Sequence, residues 1–163
     1  NYLNDKKRGI NNFKNHSLIP FRSLLFGNCI IKKEVFDLVK FNPVFKTYGG
    51  KELDFAQKLC SHFPNSIITS RNAIVTRVEF PNFKKHCQRL IEYGGNNFIC
   101  LSDELKAEVI KWRCLLYKNI FFVFIFSFIY CAAIRFYGIN FFSYHIIRLG
   151  MLSAILRGYY QAK

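Results

Sequence analysis

The apolar positions of this chain gather at its C-terminal end. Across residues 120–134 every side chain except Ser127 is apolar, whereas the first hundred residues mix charge, turn formers and short apolar runs. That contrast predicts three parts: a surface loop over 1–17, a folded domain over 18–102 and a membrane-associated helical tail over 103–163.

Within 18–102 the pattern predicts alternating short strands and helices. Residues 23–32, SLLFGNCIIK, read as a strand with a bend or a close backbone approach at Gly27 and Asn28. KEVFDLV, from Lys33, predicts a short helix. In KELDFAQKLCSHF, Phe55, Ala56, Leu59, Cys60 and Phe63 recur at helical spacing and make one apolar face. Gly49 and Gly50 permit a sharp turn into that helix and place Lys51 and Glu52 in its first turn. SIITS and AIVTRVEF read as two β segments, after which Asn82 caps a helix reaching about Tyr93.

In the tail, Ser102 with Asp103 and Glu104 opens what reads as one long helix feeding the apolar run. Residues 120–134 rise only about 22 Å, but 117–137 reach about 31 Å, matching a hydrocarbon core of about 30 Å. Tyr117 and Tyr137 fit the two interfaces, where Lys118 and Arg135 can snorkel. A buried helix of a soluble domain is the alternative. Residues 139–156 are interrupted by Asn140, His145 and Arg148, which predicts an interfacial amphipathic helix burying Phe142, Ile146, Leu149 and Leu152, or a second spanning helix.

Charge sharpens this picture. The chain carries 24 Lys and Arg against 10 Asp and Glu, a formal net charge of +14, which calls for an anionic partner. Lys106, Lys111, Arg113 and Lys118 precede the apolar run, and Arg135, Arg148, Arg157 and Lys163 follow it, a placement that favours lipid headgroups. The six cysteines are scattered, with no CxxC pair and no closely following His pair. They point to free thiols in a reducing compartment, not to a zinc site or a disulfide scaffold. Asn1 is not an initiator Met, so the chain is expected to be a piece of a longer protein.

The segment FGNCIIKKEVFDLVKFNPVFKTYGGKELDFAQKL resembles the acceptor-side half of family 2 glycosyltransferases of the GT-A fold, over roughly residues 20–95. The resemblance rests on Gly27 and Asn28, on Lys33 and Glu34 opening a helix, on Phe41 and Phe45 in a loop, on Gly49 and Gly50, and on Lys51 and Glu52. It implies an α/β fold, a partial Rossmann-like GT-A domain followed by membrane-associated helices. It also implies inverting transfer of a sugar from a nucleotide-diphosphate donor to a hydroxyl of a glycan or lipid-linked acceptor. The expected setting is polysaccharide or glycolipid synthesis at the cytoplasmic face of a bacterial cell membrane, with no nucleic-acid partner.

In that family an acidic pair, usually Glu-Asp, carries the general base as its second member. The resemblance therefore assigns the catalytic role to Glu52, with Gly27, Asn28, Gly49, Gly50 and Lys51 lining the donor and acceptor sites. Lys51 stands where the first acid is usual. A carboxylate suits the work because the acceptor hydroxyl must lose its proton as its oxygen attacks the anomeric carbon. The competing reading of Glu52 is an acid that merely complements the helix dipole. A divalent metal, Mg or Mn, is implied, held mainly by an Asp-x-Asp type motif in the front half of the family's domain, a motif not found here. Thr76 occupies a position where many relatives place a metal-binding His. The competing function is a non-enzymatic basic membrane protein that binds nucleic acid or anionic lipid through interleaved aromatic and basic residues. Against it, most Phe and Tyr fall on faces expected to be buried or in the apolar tail.

Overall fold

A computed structural model describes residues 14–24, 26–70, 82–111, 113–116, 119–136 and 143–162. Seven α-helices are found there: α1 (Lys33–Val39), α2 (Lys51–His62), α3 (Phe83–Gly95), α4 (Asn97–Cys100), α5 (Asp103–Val109), α6 (Ile120–Phe136) and α7 (Ser143–Gln161). Two compact units emerge, one of Asn1–Asn42 with Lys51–Phe80, the other of Pro43–Gly50 with Pro81–Lys163. The boundary expected near residue 103 falls inside the second unit.

The expected α/β, Rossmann-like GT-A fold is not what the chain forms. Helix dominates, and the only β pairing among the described residues is an isolated antiparallel bridge between Leu18 and Ile68. Residues 23–32 show why the strand expectation fails. A strand must hand its N–H and C=O groups to a neighbouring ladder, and here they turn inward. Ser23 N–H bonds to the Pro20 carbonyl at 2.8 Å and Leu24 N–H to that of Phe21 at 3.1 Å, closing a 3-10 turn at Phe21–Ser23; a second follows at Phe26–Asn28. SIITS does pair in part, since Ile19 N–H reaches the Ile67 carbonyl and Thr69 N–H that of Ser17, each at 3.0 Å. AIVTRVEF lies outside the described residues.

The first unit is organised by α2. Its apolar face buries Phe55, Ala56 and Leu59, and Phe55 and Leu59 join Ile67 in a core flanked by Phe21, Leu24, Phe26, Val35 and Phe63. The two turns present their aromatic side chains to this face, so Leu24, Phe26 and Ile31 of 23–32 pack on a helix while Ile30 stays exposed. Truncating the fully buried Phe55 to Ala is expected to cost about 3–5 kcal/mol.

The second unit is a helical assembly with α7 packed against both α3 and α6. The α3–α7 crossing brings backbone against backbone: a Cβ on Gly94 would strike the Ile155 carbonyl, and one on Gly158 the Ile91 carbonyl. Asn82 caps α3 as its sequence position predicts, accepting from Lys85 N–H at 3.1 Å, and Ser102 caps α5 through Leu105 N–H at 3.3 Å.

The single long helix expected from Ser102 into the apolar run does not form. Helix α5 ends at Ile110, which adopts an extended backbone and is buried, and a 3-10 turn follows at Arg113–Leu116. The Tyr159 hydroxyl donates to the Leu116 carbonyl at 3.0 Å, and Tyr160 donates to that of Leu115, which ties the turn to α7. Asn119 then starts α6 afresh by accepting Phe121 N–H at 2.9 Å. Its 17 residues rise about 25 Å. No helix among the described residues is long and apolar enough to cross a membrane.

Candidate functional site

Glu52 sits in the first turn of α2, three and four residues before Phe55 and Ala56, so it heads the same helix face that those residues bury. Its side chain is half-buried, and no hydrogen bond or ion pair with any described residue engages the carboxylate. Asp54, two residues on, lies on a different face and is committed: its Oδ2 stands 2.7 Å from Lys58 Nζ, an ion pair whose angle falls outside hydrogen-bond geometry. The two acids of this first turn thus have different circumstances. One is paired within the helix and the other stands open at the edge of an apolar face.

The neighbourhood of that face is aromatic. Phe26, Phe36 and Phe41 all pack on Phe55, with ring centroids 5.3, 5.7 and 5.0 Å away, and Phe41 also meets Phe26 and Phe36 at 5.4 and 5.6 Å. Phe26 opens the turn that holds Gly27 and Asn28, so these ring contacts fix the turn against α2. The expectation of a close backbone approach at Gly27 is not met within the fold. A Cβ there would meet nothing within 4 Å, and the residue lacks the positive φ that would demand glycine. Lys51 opens α2 half-buried, a cation at the helix end where the backbone dipole disfavours one.

Gly49 and Gly50 belong to the second unit and are glycines for reasons of the fold. Both have φ of +83°, and a Cβ on either would come within 3.0 Å of the Tyr93 ring. The carbonyls of this loop converge on one side chain: Asn97 Nδ2 donates to Thr47, Tyr48 and Gly49 at 2.8, 3.3 and 2.7 Å. Three carbonyl neighbours require the NH2 end of the amide here, which settles its orientation. Asn97 is among the few buried polar residues, and Tyr93 packs edge-on against Phe98 beside it. Sequence reasoning passed over Asn97 because nothing in NNF marks a loop clamp whose partners lie about fifty residues away.

A metal finds no support in these residues alone. Among the described residues no three His, Cys, Asp or Glu side chains are grouped to hold an ion, and Thr76 lies outside them. The six cysteines are free thiols. Burial pushes the Cys87 thiol up to about 11, which makes it a small hydrophobe and not a nucleophile. Tyr160, whose hydroxyl is tied to a carbonyl, is pushed up to about 12, by burial first and then by Tyr159 and Cys114.

No protein-family model matches the chain, no curated protein matches it, and no solved structure matches it.

Proposed function

We propose that this chain supplies the general-base end of an inverting sugar transfer, with Glu52 as the base. The observation that carries the reading is the half-buried Glu52 carboxylate, one helical turn before Phe55 on the face of α2 where Phe26, Phe36 and Phe41 pack, with no partner among the described residues. In the proposed reaction the acceptor hydroxyl gives its proton to Glu52 while its oxygen bonds to the anomeric carbon. The bond from that carbon to the donor's phosphate oxygen breaks, and the nucleoside diphosphate leaves with the electron pair. Apolar ring faces suit the C–H faces of a sugar acceptor, and Lys51 offers a cation toward a diphosphate. Gly27, open on its Cβ side, leaves room for a ligand to approach the backbone. The family resemblance assigns donor phosphates and metal to a segment preceding these residues in relatives.

The test is steady-state transfer, at saturating nucleotide sugar, by this chain and by any longer protein that carries it. Glu52→Gln keeps size and removes the proton acceptor, so kcat should fall about 10² to 10⁴-fold with donor affinity nearly unchanged. Asp54→Asn should leave turnover within a few-fold, once corrected for any stability lost with the Lys58 pair. Unchanged turnover in Glu52→Gln removes the residue from the mechanism.

A further inference from the structure

Helix α6 has two unlike faces. Toward α7 it buries Phe126 and Ala133, and its Tyr130 ring lies 5.1 Å beneath the Arg157 guanidinium. On the opposite side Phe121, Phe124, Ile125 and Phe128 are 71, 70, 48 and 75% exposed. Their spacing of three, four and seven residues puts them on one stripe, which continues through the exposed Cys131 to the exposed Arg135. At 150–250 Å² per aromatic side chain, the three phenylalanines alone expose on the order of 300–500 Å², the size at which an apolar patch marks a binding surface.

Two observations select what covers it. Beyond Glu108 the chain has seven Lys and Arg and no Asp or Glu, so the part that bears the stripe is wholly cationic. Such a surface repels a second copy of itself and attracts an anionic one. Over its described residues, Ile120–Phe136, the helix is also not long and apolar enough to cross a membrane, and its other face is already occupied by α7. We infer that α6 seats the protein monotopically on an anionic membrane, lying in the headgroup region with Phe121, Phe124, Ile125 and Phe128 inserted and Arg135 at the phosphate level. This differs from the expectation from sequence, in which 117–137 spans and 139–156 lies in the interface or spans as a second helix. Helix α7 instead buries Ser153, Ala154, Ile155 and Leu156 within the protein. The inference is independent of the transferase reading, because it requires no activity at Glu52.

The test is flotation of the full chain with vesicles of phosphatidylcholine alone or mixed with phosphatidylglycerol. Binding should be at least tenfold tighter to the mixed vesicles, and Phe124→Ser/Phe128→Ser should weaken it at least tenfold with an unchanged circular dichroism spectrum. In the unmutated protein, alkylation of Cys131 by a water-soluble maleimide should slow at least tenfold when mixed vesicles are bound. That second measurement stands even if the double variant fails to fold. Equal binding to both vesicle types, undiminished binding by a folded double variant, or an unprotected Cys131 on bound protein each overturns the inference. A dimer in solution that the double variant abolishes, with no vesicle binding by either protein, assigns the stripe to a second copy instead.

Discussion

Removing the amide donor of Asn97 tests whether one side chain holds the loop that precedes α2. The NH2 group has two protons and serves three carbonyls, two of them at 2.7 and 2.8 Å, so both protons are in short bonds. Each such bond contributes about 0.5–1.5 kcal/mol net, and a buried carbonyl left without a donor costs about 1–3 kcal/mol. Asn97→Asp keeps the shape but turns a carboxylate toward carbonyl oxygens. The loss at neutral pH should therefore be about 2–5 kcal/mol of local stability. Because the clamped loop belongs to one compact unit, the readout is amide hydrogen exchange over residues 43–50, which should accelerate about 30-fold or more. The introduced carboxyl is neutral only when protonated, so its folded-state pKa must rise. Stability is then present at low pH and lost as pH climbs through that raised value, and acidification should slow exchange again. Exchange within threefold of the unmutated protein at neutral pH would refute the clamp.

Gly94→Ala should destabilise the second unit by about 3 kcal/mol in urea unfolding, although alanine is the better helix former by about 1 kcal/mol, because the new methyl meets the Ile155 carbonyl. Gly27→Ala should leave unfolding within about 0.5 kcal/mol, since its Cβ side is open; transfer activity should nonetheless drop if a ligand approaches that backbone. Cys87, raised from 9.0 to about 11, keeps its proton in the folded state where the unfolded chain has lost it. Stability should therefore fall as pH rises from about 9 to about 11, by at most about 3 kcal/mol, and Cys87→Ala should flatten that slope in unfolding at about pH 8 and pH 11.

Much of the secondary structure is legible from local signals. KEVFDLV is a helix over the residues read for it, KELDFAQKLCSHF buries the face its spacing defines, and Asn82 and Ser102 cap the helices they precede. These features depend on contacts within about four residues, where propensity, capping and periodicity act. The candidate base is legible in part: its place in the first turn follows from the double glycine, but its unpaired carboxylate one turn before the Phe55 ring cluster does not, because the rings that gather on Phe55 come from separate parts of the chain.

What the sequence determined by itself is therefore where α1, α2, α3 and α5 start, which residues face inward along α2, and how charge surrounds the apolar tail. The tertiary structure alone decided the rest. An apolar run such as 23–32 satisfies its side chains equally well in a sheet or on a helix, and only the available neighbours choose between strand and 3-10 turn. Asn97 became a clamp because the fold delivered three carbonyls to it. Helix α7 buries Ser153, Ala154 and Leu156 within the protein for the same reason. Hydrophobicity says that a surface will be covered, but the face of α6 that α7 covers is seen only in the fold, where Gly150 of α7 comes close enough to Ala133 of α6 that an added Cβ would lie 2.9 Å from its Cβ.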